Sequence, residues 1–81
     1  MISLDVLLFA SYADAAGAHR LGINVPDGAS VADVVAAVRQ AAPQLQLPAR
    51  PLVAVNHRYA KSDVRVSPTD EIALIPPVAG G

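Results

Sequence analysis

Few side chains in this sequence have the type and spacing to do chemistry. His19 and His57 are the two imidazoles. They lie far apart, with no carboxylate or cysteine at metal-ligand spacing beside either, and read as exposed strand-end residues. Asp70 and Glu71 form an acidic pair, but neighbours on a strand point to opposite faces, so the pair reads as turn chemistry rather than a catalytic dyad. Gly17, Gly22 and Gly28 lack the spacing of a phosphate loop, and no Gly-Lys-Ser/Thr follows them. There is no Gly-x-Ser-x-Gly elbow and no cysteine. What remains is the end of the sequence, Pro76-Pro77-Val78-Ala79-Gly80-Gly81. With Gly81 last, a free α-carboxylate is the expected reactive group. Gly80 and Gly81 carry no Cβ, so this backbone can thread a narrow channel. The two prolines stiffen the exit from the fold. From Val78 onward, four residues reach about 13 Å when extended, enough to enter another protein's active site.

That end must be presented by the elements before it. Ile2, Leu4, Val6 and Leu8 alternate with Ser3, Asp5, Leu7 and Phe9, a period of two that predicts a first strand. Ser11–Ala18 predicts a helical turn ending at Gly17. Arg20–Val25 predicts a second strand, and Pro26-Asp27-Gly28 a turn. Ser30 is a good N-cap with Asp33 in the first turn of a helix. The apolar stripe of that helix is Val31, Val34, Val35, Val38 and Ala42, with Arg39 toward its C-terminal end. Pro43 stops it, and Gln44–Pro51 reads as a connecting loop. Leu52–Asn56 predicts a strand, Tyr59–Lys61 a brief edge strand, Ser67-Pro68-Thr69-Asp70 a turn and Glu71–Ile75 the last strand, which Pro76 and Pro77 end. A hairpin, a helix across one sheet face and a return to the sheet make a two-layer α+β roll. The expected division is a folded domain over residues 1–77 and a flexible tail over 78–81.

Composition narrows the function. Of 81 residues, 53% are apolar, but 16 of these 43 are alanine. Phe, Ile, Leu and Val still make up 24 residues, ample for an ordered core and enough for one domain only. A core this small leaves little room for a deep cleft. A net charge of −1 argues against nucleic acid, since Arg58, Lys61 and Arg65 read as a solvated edge rather than a basic face. No apolar run approaches the roughly 18 residues that cross a bilayer, and Asp5 interrupts the first one. The absence of cysteine suits a reducing, cytoplasmic setting.

Three segments carry a resemblance. They are Val6-Leu7-Leu8-Phe9-Ala10 followed by Gly17, Val53-Ala54-Val55-Asn56, and Asp70-Glu71-Ile72-Ala73-Leu74-Ile75 running into Pro76-Pro77-Val78-Ala79-Gly80-Gly81. Together they resemble the MoaD/ThiS sulfur carriers, and most of all the small-subunit type of molybdopterin synthase. Ala13-Asp14 stand where that family often has Arg-Glu, and Leu74-Ile75 where it favours aromatics. The resemblance implies a ubiquitin-like β-grasp roll, a mixed four- to five-stranded sheet with one main helix across it. It also implies that an ATP-dependent, E1-like enzyme adenylylates Gly81, that sulfur displaces AMP to give a thiocarboxylate, and that the tail then enters the synthase large subunit. There its sulfur builds the dithiolene of molybdopterin. The chain itself would hold no cofactor or metal and would not be catalytic alone.

In a β-grasp sheet the first and last strands pair. Leu7 and Phe9 on the outer face of the first would then meet Ile75 on the last, with Tyr59 at the border. Pro76, Pro77, Val78 and Ala79 would continue this partner-binding surface toward Gly80 and Gly81. Three alternatives stay open at this point: a sulfur carrier for thiamin thiazole, cysteine or tRNA thiolation, a ubiquitin-like modifier of lysines, and an interaction module with an inert tail.

Overall fold

The computed structural model describes residues 1–77, so the tail at 78–81 lies outside the described residues. Seven alternating residues form β1 (Ile2–Leu8), with Leu4, Val6 and Leu8 buried and Ser3 and Asp5 exposed. A short helix, α1 (Ala10–Ala16), follows and ends on Gly17 at φ 72, a left-handed cap that glycine takes without steric cost. The chain returns as β2 (Arg20–Val25), antiparallel to β1 with Ile2 opposite Val25 and Leu7 opposite Arg20. The hydrogen bond from the Leu8 N–H to the His19 carbonyl, at 2.8 Å, carries this ladder to its end.

The main helix, α2 (Val31–Ala41), begins as its sequence demands. Ser30 is extended and its N–H donates to the Asp33 carboxylate at 2.9 Å, while the Asp33 N–H donates to the Ser30 hydroxyl at 3.4 Å. The Val31 and Ala32 N–H groups, which no intrahelical carbonyl can reach, donate to Val64 and Ser62. The 61–66 loop is thereby tied across the helix start, and it buries Val66. Val31, Val34 and Val38 face the sheet and are buried, Val35 is half-buried, and Ala42 caps the helix in the core.

Two expectations need correction beyond the helix. The stretch after Pro43 is not wholly irregular, because Pro43–Leu45 makes a 3-10 turn that puts Leu45 in the core. Arg39 does more than complement the helix dipole: its guanidinium donates to the Leu47 and Pro48 carbonyls and pins that loop. The remaining strands are β3 (Leu52–Val55), β4 (Arg58–Tyr59) and β5 (Ile72–Ile75), each a residue or two from its predicted bounds.

The sheet order is β2-β1-β5-β3-β4. The central pair, β1 with β5, is parallel and the other three are antiparallel. α2 covers one face of this mixed sheet, and Val6, Leu8, Ile72 and Leu74 from the central strands are at most 1% exposed beneath it. This is the two-layer β-grasp roll, with α1 as a second, minor helix.

β3 and β4 are joined by the two residues Asn56 and His57 at φ 53 and 71, a type I′ turn. Asn56 fastens this turn to the chain entering β5. Its N–H donates to the Glu71 carbonyl at 2.7 Å, its side-chain oxygen accepts from the Glu71 N–H at 2.9 Å, and its amide nitrogen donates to the Asp70 carboxylate at 2.9 Å. Asp70 also accepts from the Ser67 N–H at 2.8 Å. The Asn56 amide first, and the Ser67 N–H second, hold the Asp70 carboxyl below its ordinary range.

Two consequences are measurable. Leu8 is 1% exposed and its neighbour Phe9 48%. Leu8→Ala should cost about 2–5 kcal/mol in urea unfolding, and Phe9→Ala less than about half of that. A depressed Asp70 pKa stabilises the fold above the unfolded-state pKa, and the contribution is lost as pH falls through the folded value. The melting-temperature gap between wild type and Asp70→Ala should therefore be widest near neutrality and narrow as pH falls below the ordinary aspartate range. A gap that stays constant over that fall in pH contradicts the ionic role of Asp70.

Candidate functional site

The face of the sheet opposite α2 has no second layer among the described residues. Its upper end is built from outward positions of four strands. Leu7 lies opposite Ala73 across the parallel pair, and Ala54 lies opposite both Ala73 and Tyr59 across the antiparallel ones. Directly opposed residues share a face, so Leu7, Ala73, Ala54 and Tyr59 form one row. Ile75 lies two positions beyond Ala73 on the same face of β5.

Phe9 closes this end. It is extended at φ −123 and N-caps α1, and Ala10 then turns the chain with φ 47, a left-handed angle that a residue with a Cβ rarely takes. That local strain turns the backbone away immediately after Phe9 and leaves its ring exposed. Leu7, Phe9, Tyr59 and Ile75 thus flank a shallow apolar groove of about 340 Å³, floored by Ala54 and Ala73. Small residues at the two central positions make the hollow. Pro76 is half-buried and Pro77 exposed, and both follow directly from the groove wall at Ile75.

One side of the groove is polar. The His57 Nε2 lies 2.7 Å from a Glu71 carboxylate oxygen, and both side chains line the groove. Further down the same face, a second, polar hollow adjoins Asp5, Arg20, Asp70 and Glu71. Three carboxylates and one guanidinium line it, so this region is net acidic.

The structure brings together Leu7, Phe9, Tyr59, Ile75 and Pro76 at one end of the sheet, with Pro77 beyond. Val78, Ala79, Gly80 and Gly81, the carrier positions expected from sequence, lie outside the described residues. His57 is exposed at a strand end, as expected, but the hairpin turn that holds it also sets a carboxylate beside it. Sequence reasoning missed His57, Glu71, Ala54 and Leu52, which is 49% exposed and opposite Ile75. A signal existed for His57 and Glu71. Asn-His between the Leu52–Val55 run and Arg58-Tyr59 is a two-residue turn, and antiparallel pairing with the last strand places that turn against the acidic pair. Among the described residues no group of three or more His, Asp or Glu could hold a metal ion, and no helix is long and apolar enough to cross a membrane.

Known proteins share this architecture. The molybdopterin synthase sulfur carrier subunit of Dictyostelium discoideum is 32% identical over 80 residues, covering 94% of this chain and 93% of its own. The crystal structure of small archaeal modifier protein 1 (SAMP1) from Haloferax volcanii superposes with a TM-score of 0.84 at 32% identity, over 98% of this chain and 99% of that one. A complex of subunits 1 and 2 of the molybdopterin-converting factor from Helicobacter pylori contains the same fold, with a TM-score of 0.68 at 17% identity over 99% of this chain and 100% of that one. The ThiS family model matches residues 6–81, from the first strand through the terminal Gly-Gly, and the chain belongs to the ThiS family.

Proposed function

We propose that this chain is a sulfur carrier, the small subunit of a molybdopterin synthase, and that it works as a protein cosubstrate rather than as a catalyst on its own. The observation that carries this reading is the apolar groove at the end of β5, whose wall residue Ile75 is followed in sequence by Pro76-Pro77 and then by Val78-Ala79-Gly80-Gly81. The likeness to a sulfur carrier subunit over nearly the full length supports it. The Helicobacter pylori assembly of subunits 1 and 2 supports a large-subunit partner.

The chemistry follows from the carboxylate. Oxide is not a feasible leaving group, so the Gly81 carboxylate must first attack the α-phosphorus of ATP, releasing pyrophosphate and forming an acyl-adenylate. A sulfur nucleophile at the hydrosulfide level then adds to the acyl carbon and expels AMP, leaving a thiocarboxylate. Transfer of that sulfur to the pterin precursor, with water restoring the oxygen, regenerates the Gly81 carboxylate. Nucleotide and precursor sites belong to the E1-like enzyme and the large subunit. This chain contributes a docking face through Leu7, Phe9, Tyr59 and Ile75, a stiff exit through Pro76 and Pro77, and a slender arm of Val78, Ala79, Gly80 and Gly81. The domain boundary after residue 77 and a cytoplasmic setting are parts of the same proposal. Thiamin thiazole, cysteine and tRNA thiolation would use the same carrier step with other acceptors.

The likeness to small archaeal modifier protein 1 favours one second reading, in which the activated Gly81 acyl group is captured by a lysine amine to give an isopeptide.

Intact-mass spectrometry after incubation with the activating enzyme, ATP and a sulfur source should show replacement of one oxygen by sulfur on the wild-type chain. A chain lacking Gly81 should show none while melting as the wild type does. Lysine conjugates without sulfur exchange would favour the modifier, and exchange in the truncated chain would defeat the tail mechanism. Phe9→Asp should weaken binding to the large subunit in calorimetric titration by at least roughly tenfold, with little change in melting temperature. Parallel loss of binding and stability would make Phe9 a core residue instead.

A further inference from the structure

We propose that His57 and Glu71 form a preformed polar contact at the rim of the docking groove, and that its counterpart on the large subunit is a cationic side chain, arginine or lysine. The inference rests on the reading of the groove as a docking face.

The first observation is conformational. A type I′ turn asks for left-handed backbone at both central residues, and Asn-Gly satisfies it most readily. Asn56 suits the first position. The second, at φ 71, is where glycine is preferred, and it holds His57. Histidine tolerates this region better than most residues but worse than glycine. The fold therefore gives up turn stability at this position, and strained residues of this kind mark sites where a side chain has a task.

The second observation is placement. Two hydrogen bonds donated by Asn56 and one accepted by it fix the turn against the chain entering β5. The imidazole is 86% exposed, yet it is oriented by the 2.7 Å contact with Glu71. The contact engages one Glu71 carboxylate oxygen and leaves the second as an acceptor. His57 thus orients a half-exposed carboxylate that lines the groove with Tyr59.

The third observation is charge. Asp5 and Asp70 add negative charge on the same face, with Arg20 as its one counter-charge among the residues that line the two hollows. A partner that presents an apolar projection to the groove and a guanidinium or ammonium to the Glu71 side matches both shape and potential.

Calorimetric titration of the full chain against the large subunit, paired with thermal melts, tests this. His57→Gly should raise the melting temperature and weaken binding by roughly fivefold, the worth of one net hydrogen bond. A purely structural histidine would move both in the same direction. Glu71→Gln should weaken binding and flatten its decline with added salt. Unchanged affinity for His57→Gly overturns the contact, a lowered melting temperature overturns the strain argument, and an unchanged salt slope for Glu71→Gln overturns the cationic counterpart. If wild type fails to bind the large subunit, the docking reading falls and this inference with it. Binding by wild type and loss with Phe9→Asp, but none with His57→Gly, overturns the role of His57 alone.

Discussion

The parallel pairing of β1 with β5 is the interaction on which the rest of the molecule depends. It sets Val6 beside Ile72, Leu7 beside Ala73 and Leu8 beside Leu74, joining segments more than sixty residues apart. On one face this pairing places Val6, Leu8, Ile72 and Leu74 under α2, where they form the centre of the core. On the other it places Leu7 and Phe9 near Ala73 and Ile75, where no helix among the described residues covers them. The same three rungs thus hold the fold together and build the groove. A slip of one residue would exchange the two faces and destroy both.

Burial on one face and exposure on the other have different physical justifications. Beneath α2 the central side chains are removed from water, and their burial is the main source of stability in a chain without cysteines. On the open face Phe9 and Tyr59 stay 48% and 73% exposed, which favours neither folding nor solubility. A small domain that keeps large apolar groups in water beside its last strand is suited to association. Its polar rim gives that association an orientation. This division suits the proposed sulfur chemistry, in which the carboxylate is delivered into sites that other proteins provide.

Much of this was legible in the sequence. The alternation of Ile2 to Leu8, the Ser30–Asp33 box and the Pro76-Pro77 stop are local signals with local causes, and each element stands close to where it was expected. Leu7 and Ile75 were legible as outward apolar residues of their strands, and Phe9 and Tyr59 as their neighbours, although Phe9 caps α1 rather than extending β1. Less legible was anything that depends on long-range register. His57 and Glu71 are fourteen residues apart and meet because β3 and β5 pair with Val55 opposite Ile72. The burial of Leu45 and the grip of Arg39 on the Leu47 and Pro48 carbonyls come from tertiary packing of a proline-rich stretch that has no periodicity to read.

The central claim is that the open sheet face, not the helix face, meets the large subunit. Amide hydrogen exchange of the chain, free and in complex, measures this directly. Added protection is expected at Leu7–Phe9, Ala54–Tyr59 and Ala73–Ile75, with β2 and α2 unchanged. Protection concentrated on α2, with the groove exchanging as in the free chain, would contradict it.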